Sequence, residues 1–175
     1  RALFTGIFVP KDAPDWAQDR EQLWNAAEKA ETDYNRKKNA ARVAQDITLA
    51  LPHEFTDQQR EWLVKDFVRP FQRQGYALDV AIHEPHQDGD QRNYHAHILI
   101  SERVLTRDGF APVKDRALQD RQMVDKWRED FARLTNRHLE RHGIEARVDH
   151  RSLKDQGVDR TPGLHMGKHA TAAER

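Results

Sequence analysis

Residues 78–101 read LDVAIHEPHQDGDQRNYHAHILIS, and the rhythm of this stretch decides the fold. Leu78 to His83 has the alternation of a strand, the turn-rich segment from Glu84 to Asn93 reverses the chain, and Tyr94 to Ser101 forms a second strand. Alternate side chains of a strand share a face, so Ile98 and Ile100 lie opposite His97 and Leu99. On that second face His95 and His97 project together, roughly 7 Å apart. Pairing of the two strands would bring in His83 and complete a triad of imidazoles around one side of a divalent ion, leaving its other side open to water or substrate. An open position is what a catalytic ion needs. An isolated His-x-His is more often a polar strand face; the third histidine on the preceding strand turns the balance toward metal. His86, in the turn beside Pro85, is the rival ligand.

Outward from the hairpin, Ile47, Leu49 and Leu51 alternate with Thr48 and Ala50 and stop at Pro52, which predicts a half-buried strand. Thr56 with Gln59 has capping-box spacing and opens a helix whose buried side is read as Trp62, Leu63, Phe67 and Phe71, with Pro70 bending or ending it and Gly75 as its C-terminal cap. Asp19 with Gln22 opens an earlier helix carrying Leu23, Trp24, Ala27 and Ala30 toward Tyr34. Val124, Trp127, Phe131, Leu134 and His138 recur every three or four residues in a third helix that stops at Gly143, with the Trp127, Phe131 and Leu134 stripe in the core. The polar tail after Glu145 is read as loops with one short strand at 146–148. Strands and helices in this mixture predict an α+β domain.

The 175 residues suit one domain, and the 29 basic and 29 acidic residues leave a formal net charge of zero, so any nucleic-acid contact must come from local patches. With no cysteine, disulfides, thiolate metal sites and cysteine nucleophiles are excluded, and histidine is the remaining soft ligand. No apolar run reaches the roughly 20 residues needed to span a bilayer. A soluble cytoplasmic protein without membrane insertion is the expectation.

Five ordered blocks carry a resemblance. RVAQDITLALPHE (42–54), AIH (81–83), NYHAH (93–97), DHRSL (149–153) and GLHMG (163–167), together with the helix from Arg20 to Glu28, resemble the MobA/MobL family of plasmid mobilisation relaxases, of the MobQ or TraA-like kind, within the HUH endonucleases. The resemblance spans nearly the whole chain. It implies an RRM- or palm-like relaxase fold, an antiparallel sheet flanked by helices, in which His83, His95 and His97 hold Mg or Mn against the scissile phosphate of single-stranded plasmid origin DNA, with accessory relaxosome proteins as further partners. A tyrosine hydroxyl then attacks and leaves a 5′-phosphotyrosine link that conserves the bond for rejoining. In such relaxases that tyrosine lies near the N-terminus, ahead of the region where this chain starts, so the domain over 1–175 is expected to lack an N-terminal strand and a tyrosine-bearing helix.

The tyrosines present are Tyr34, Tyr76 and Tyr94. Tyr34 precedes the histidine motif, which is the relaxase order, and is the alternative nucleophile within the chain; Tyr76 and Tyr94 read as packing residues. Asp46 stands where the family pattern carries a carboxylate, to orient a histidine or to assist deprotonation of the tyrosine. An exposed polar residue is the equally plain reading of it, and Glu54 and Glu84 are weaker candidates. DNA phosphates are expected at Arg36, Lys37, Lys38 and Arg42, and in the tail at Arg147, Arg151, Lys154, Arg160 and Lys168. Two other classes stay open: a metal-dependent phosphodiester hydrolase using water, and a non-catalytic DNA-binding module.

Overall fold

The computed structural model describes residues 1–35, 41–114, 118 and 120–160. The opening residues form strand β1 (Ala2–Phe8), followed by a 3-10 turn at Asp15–Gln18 and helix α1 (Arg20–Tyr34). Strand β2 (Ala44–Leu51), helix α2 (Asp57–Arg73), strands β3 (Leu78–His83) and β4 (Tyr94–Ser101), a small hairpin of β5 (Leu105–Thr106) and β6 (Gly109–Phe110), and helix α3 (Arg121–Arg141) complete the order. Four strands make one antiparallel sheet in the order β1-β3-β4-β2.

The alternation read in 78–101 separates the two faces of this sheet. Leu78, Val80, Ala96, Ile98 and Ile100 are completely buried on one side, where α2 packs through Leu63, Val64, Phe67 and Phe71. Full burial of an aliphatic side chain contributes about 1.5–3 kcal/mol, so this layer alone holds the central strands to α2. Helix α3 closes the layer from outside, with Phe131 edge-on to Phe67 and Trp127 edge-on to Phe71. On the opposite face α1 covers one end: Arg20 grips Asp79 with two hydrogen bonds of 2.8 and 2.9 Å, and the Trp24 indole donates to the same carboxylate at 3.0 Å. The other end of that face carries the histidines.

Local chemistry explains the boundaries. Thr56 and Gln59 satisfy each other's backbone N–H groups in a reciprocal capping box, and Asp19 accepts from the Gln22 N–H. Pro70 does not end α2, which runs on to Arg73 because Phe71 is buried in the core. Trp62, read from the sequence as buried, is 48% exposed, since the buried stripe runs through Leu63, Val64, Phe67 and Val68 instead. No strand forms at 146–148; Asn136 binds both the N–H and the C=O of Val148 with its side-chain amide and holds that backbone away from the sheet. Among the described residues no helix is long and apolar enough to cross a membrane.

Gly75 follows α2 at φ +101°, and a Cβ there would stand 2.6 Å from Val104 Cγ1. Gly75→Ala should therefore lower stability by about 1–3 kcal/mol, through the left-handed backbone and the displaced valine together. Urea unfolding measures it, and a change below a few tenths would contradict this account of the turn.

Candidate metal centre

Hairpin geometry assembles the site. The connection from β3 to β4 is tied internally: the Gln91 amide donates to the carbonyls of His86, Gln87 and Gly89, and Arg92 forks onto Asp90. The Arg92 hydrogen bonds hold the Asp90 carboxyl down to about 2, so this clamp stays charged throughout the neutral range. With the turn fixed, His83 pairs across from His95 and Ala81 from His97, while Thr48 of β2 pairs with His97 on its other side.

Three imidazoles thereby surround a common opening. Their ring centres are 5.5 Å apart for His83 and His95, 5.7 Å for His83 and His97, and 5.3 Å for His95 and His97. Rings that share one ion about 2.1 Å from each ligating nitrogen need centres roughly 5 Å apart. The set stands slightly wider than that, and among the described residues no three histidine, aspartate or glutamate side chains are drawn into a finished coordination sphere.

The far nitrogens are already oriented. His95 Nδ1 donates to the Asn93 carbonyl at 2.9 Å, and His97 Nδ1 lies 3.3 Å from Thr48 Oγ1 and 3.6 Å from Asp46 Oδ1. With Nδ1 engaged, each ring offers Nε2 to the opening, which is how outer partners fix the tautomer of a ligating histidine. Burial and then the neighbouring His95 and His97 push the His83 imidazole below its usual value. It is thus held in the neutral form that can ligate. By its chemistry, a donor set of three imidazole nitrogens with an open side fits a divalent ion.

Other expected residues fall elsewhere. His86 is 83% exposed on the turn and faces Asp88, so it does not join the triad. Glu84 pairs with the Arg1 amino group at 3.7 Å, and Glu54 with His53 at 3.2 Å. Tyr94 lies on the strand face opposite His95, under the Arg60 guanidinium at 3.4 Å, and Tyr76 is buried. Tyr34 ends α1 beside Arg103, 5.6 Å from its ring centre. Arg103 lies beyond the end of β4, and the four residues from His97 to Ser101 alone span about 13 Å at strand rise. The structure therefore brings none of the three tyrosines to the histidines.

The expected phosphate contacts divide as well. Arg42 reaches Glu102 at 3.8 Å, Arg147 folds back on the carbonyls of Ile144 and Ala146, and Arg151 forks onto Asp149. Lys154 and Arg160 are exposed. Arg36, Lys37, Lys38 and Lys168 lie outside the described residues, as does the 163–167 block. The sequence reading missed Thr48 and Asn93 as partners of the histidines. Thr48 was accessible to it in principle, through the shared two-residue period of β2 and β4.

Comparison with known proteins agrees with this architecture. The chain is 34% identical over its full length to a probable mobilization protein MobA of Bifidobacterium longum, of which it spans 37%. It is 30% identical over 90% of its length to the mobilization protein MobL of Acidithiobacillus ferridurans, spanning 48% of that protein. Against a conjugal transfer protein TraA of Agrobacterium fabrum it is 31% identical over 97% of its length, and covers 17% of the relative. The chain thus spans less than half of each of these relatives. Among solved structures, one concerned with the molecular basis of vancomycin resistance transfer in Staphylococcus aureus superposes with a TM-score of 0.74 at 28% identity, over 87% of this chain and 77% of the other. The MobA/MobL family pattern matches residues 2–175, and the chain belongs to the MobA/MobL family.

Proposed function

We propose that this domain acts in plasmid transfer as a DNA relaxase, binding single-stranded origin DNA across the open end of the sheet and presenting one phosphodiester to the three-histidine site. The observation that carries this reading is the ring triangle of His83, His95 and His97, with sides of 5.3–5.7 Å, in a chain of the MobA/MobL family. A bound Mg or Mn ion would supply polarisation of the phosphoryl oxygen and offset the charge that develops during strand cleavage. Asp46 and Thr48 would orient His97 toward such an ion, and the Asn93 carbonyl would do so for His95.

In this reading the attacking hydroxyl is none of Tyr34, Tyr76 and Tyr94, each of which is held away from the histidines. That same placement favours a second reading, hydrolysis by water on the same site. Incubation of the purified chain with Mn(II) and a single strand carrying the cognate transfer origin, followed by intact-mass and peptide analysis, separates the two. The relaxase reading expects Mn-dependent strand binding with little cleavage and no adduct on these tyrosines. Multiple turnovers without an adduct would favour the hydrolase. An adduct on Tyr34, Tyr76 or Tyr94 would overturn the assignment of the tyrosines.

A further inference from the structure

On the helical side of the sheet, away from the histidines, α2 and α3 enclose a cleft with an unusual charge balance. Its outer part, about 280 Å³, is walled by Arg69, Arg73, Arg137 and Arg141 against a single carboxylate, Asp66. Asp66 is already engaged by Arg69 at 3.0 Å and by His138 Nε2 at 3.0 Å. Among the described residues Arg73, Arg137 and Arg141 hold no ion pair, and all three are exposed. A concentration of unneutralised arginine in a chain of zero formal net charge marks a site for a polyanion.

The arrangement distinguishes between polyanions. Arg69 and Arg73 are four residues apart on α2, and Arg137 and Arg141 four apart on α3, so each pair forms a ladder with a step of about 6 Å. Beyond them the cleft continues into a groove of about 300 Å³ floored by Phe67, Phe71, Trp127 and Leu134. At the other end the half-exposed Trp62 stacks on His142, ring centres 6.0 Å apart and planes within 18°. Charged rims over an apolar floor, with an aromatic face at the entrance, match a chain that alternates phosphates with flat bases. An acidic peptide would offer carboxylates to the rim but no flat bases to the floor or to Trp62.

We propose that the α2/α3 cleft is a second nucleic-acid track, which holds the backbone of a single strand on Arg73, Arg137 and Arg141 and stacks a base on Trp62. It does not depend on the catalytic reading of the histidines. It would hold a segment of DNA on the side of the sheet opposite the scissile phosphate, so that strand capture and chemistry use different surfaces.

The test is fluorescence anisotropy of a labelled random-sequence single strand at several salt concentrations. The triple variant Arg73→Ala, Arg137→Ala, Arg141→Ala should bind about ten-fold or more weakly, and its salt slope should fall by about 2, since each lost contact to a single strand removes about 0.7. Trp62→Ala should weaken binding about five-fold or more without changing the slope. Lys11→Ala, Lys29→Ala, Arg107→Ala removes equal charge elsewhere and should leave both quantities close to those of the parent. Circular dichroism checks folding, and Arg137→Gln alone provides a milder variant with a slope change near 0.7. An affinity and slope for the triple variant equal to those of the charge-matched control would overturn the proposal. So would a polyglutamate peptide that displaces the strand and loses its own binding in the triple variant, which would assign the cleft to an acidic protein.

Discussion

Replacing His97 with alanine should weaken Mn(II) binding by more than about 100-fold, because direct ligands matter more than the outer partners, whose loss costs about 10–100-fold. His97 is one corner of a nearly equilateral triangle, 5.3 and 5.7 Å from the other two rings, and its loss leaves only the stacked pair of His83 and His95. The fold should hardly notice. His97 is 44% exposed and faces away from the layer of Ile98 and Ile100, so a stability change below about 0.5 kcal/mol is expected. Asp46→Ala and Thr48→Val remove the groups beside His97 Nδ1 and should each cost about ten-fold in metal affinity. Calorimetric titration measures the series, with urea unfolding as the control. Undiminished Mn(II) binding by the His97 variant would remove the triad from the account.

Glu31→Ala should destabilise the chain by about 3–5 kcal/mol, the cost of stranding buried partners of a removed charge. Glu31 and Arg103 are 4% and 6% exposed, and the carboxylate binds five donors. Oε2 accepts from Arg103 at 3.0 and 3.1 Å; Oε1 accepts from Asn35 at 2.8 Å, Lys114 at 2.5 Å and the Arg42 N–H at 3.1 Å. These contacts tie α1 to the turn after β4 and to the entry of β2. Burial alone would raise the carboxyl, but Lys114, the Arg42 N–H and Arg103 outweigh it and hold the group below its ordinary 4.5. A folded value below the unfolded one means that the stabilisation is fully present above pH 4.5 and is lost as pH falls through the folded value. The stability gap between parent and variant should thus be constant at neutral pH and close in acid. A gap that widened on acidification would contradict the network.

What the sequence revealed follows from where the physics is local. The limits of β4 and the side of each residue in Leu78–His83 and Tyr94–Ser101 were legible, because a two-residue period depends only on the strand itself. Asp19 and Thr56 were legible as caps for the same reason: their partners are three residues away. Trp62 was misread because a helical stripe is wide enough to admit two phases, and only the packed sheet chooses between them. The β5/β6 hairpin was missed because two-residue strands have no period to read. In the same way 146–148 has the composition of a strand, yet its backbone is taken by the side chain of Asn136 on α3, beyond the reach of a strand's own period. Basic residues proved the hardest to place. Arg147 and Arg151 read as phosphate contacts but are spent on nearby oxygens, whereas the exposed arginines of the α2/α3 cleft gave no signal until two helices came together.

Joint action of His83, His95 and His97 on one divalent ion is proposed, and histidine-resolved NMR during a Mn(II) titration tests it. Paramagnetic broadening should reach these three imidazoles first and together, before those of His53, His86, His138, His142 and His150. Broadening that begins at any of the latter, or that leaves one of the three sharp while the others vanish, would contradict the account.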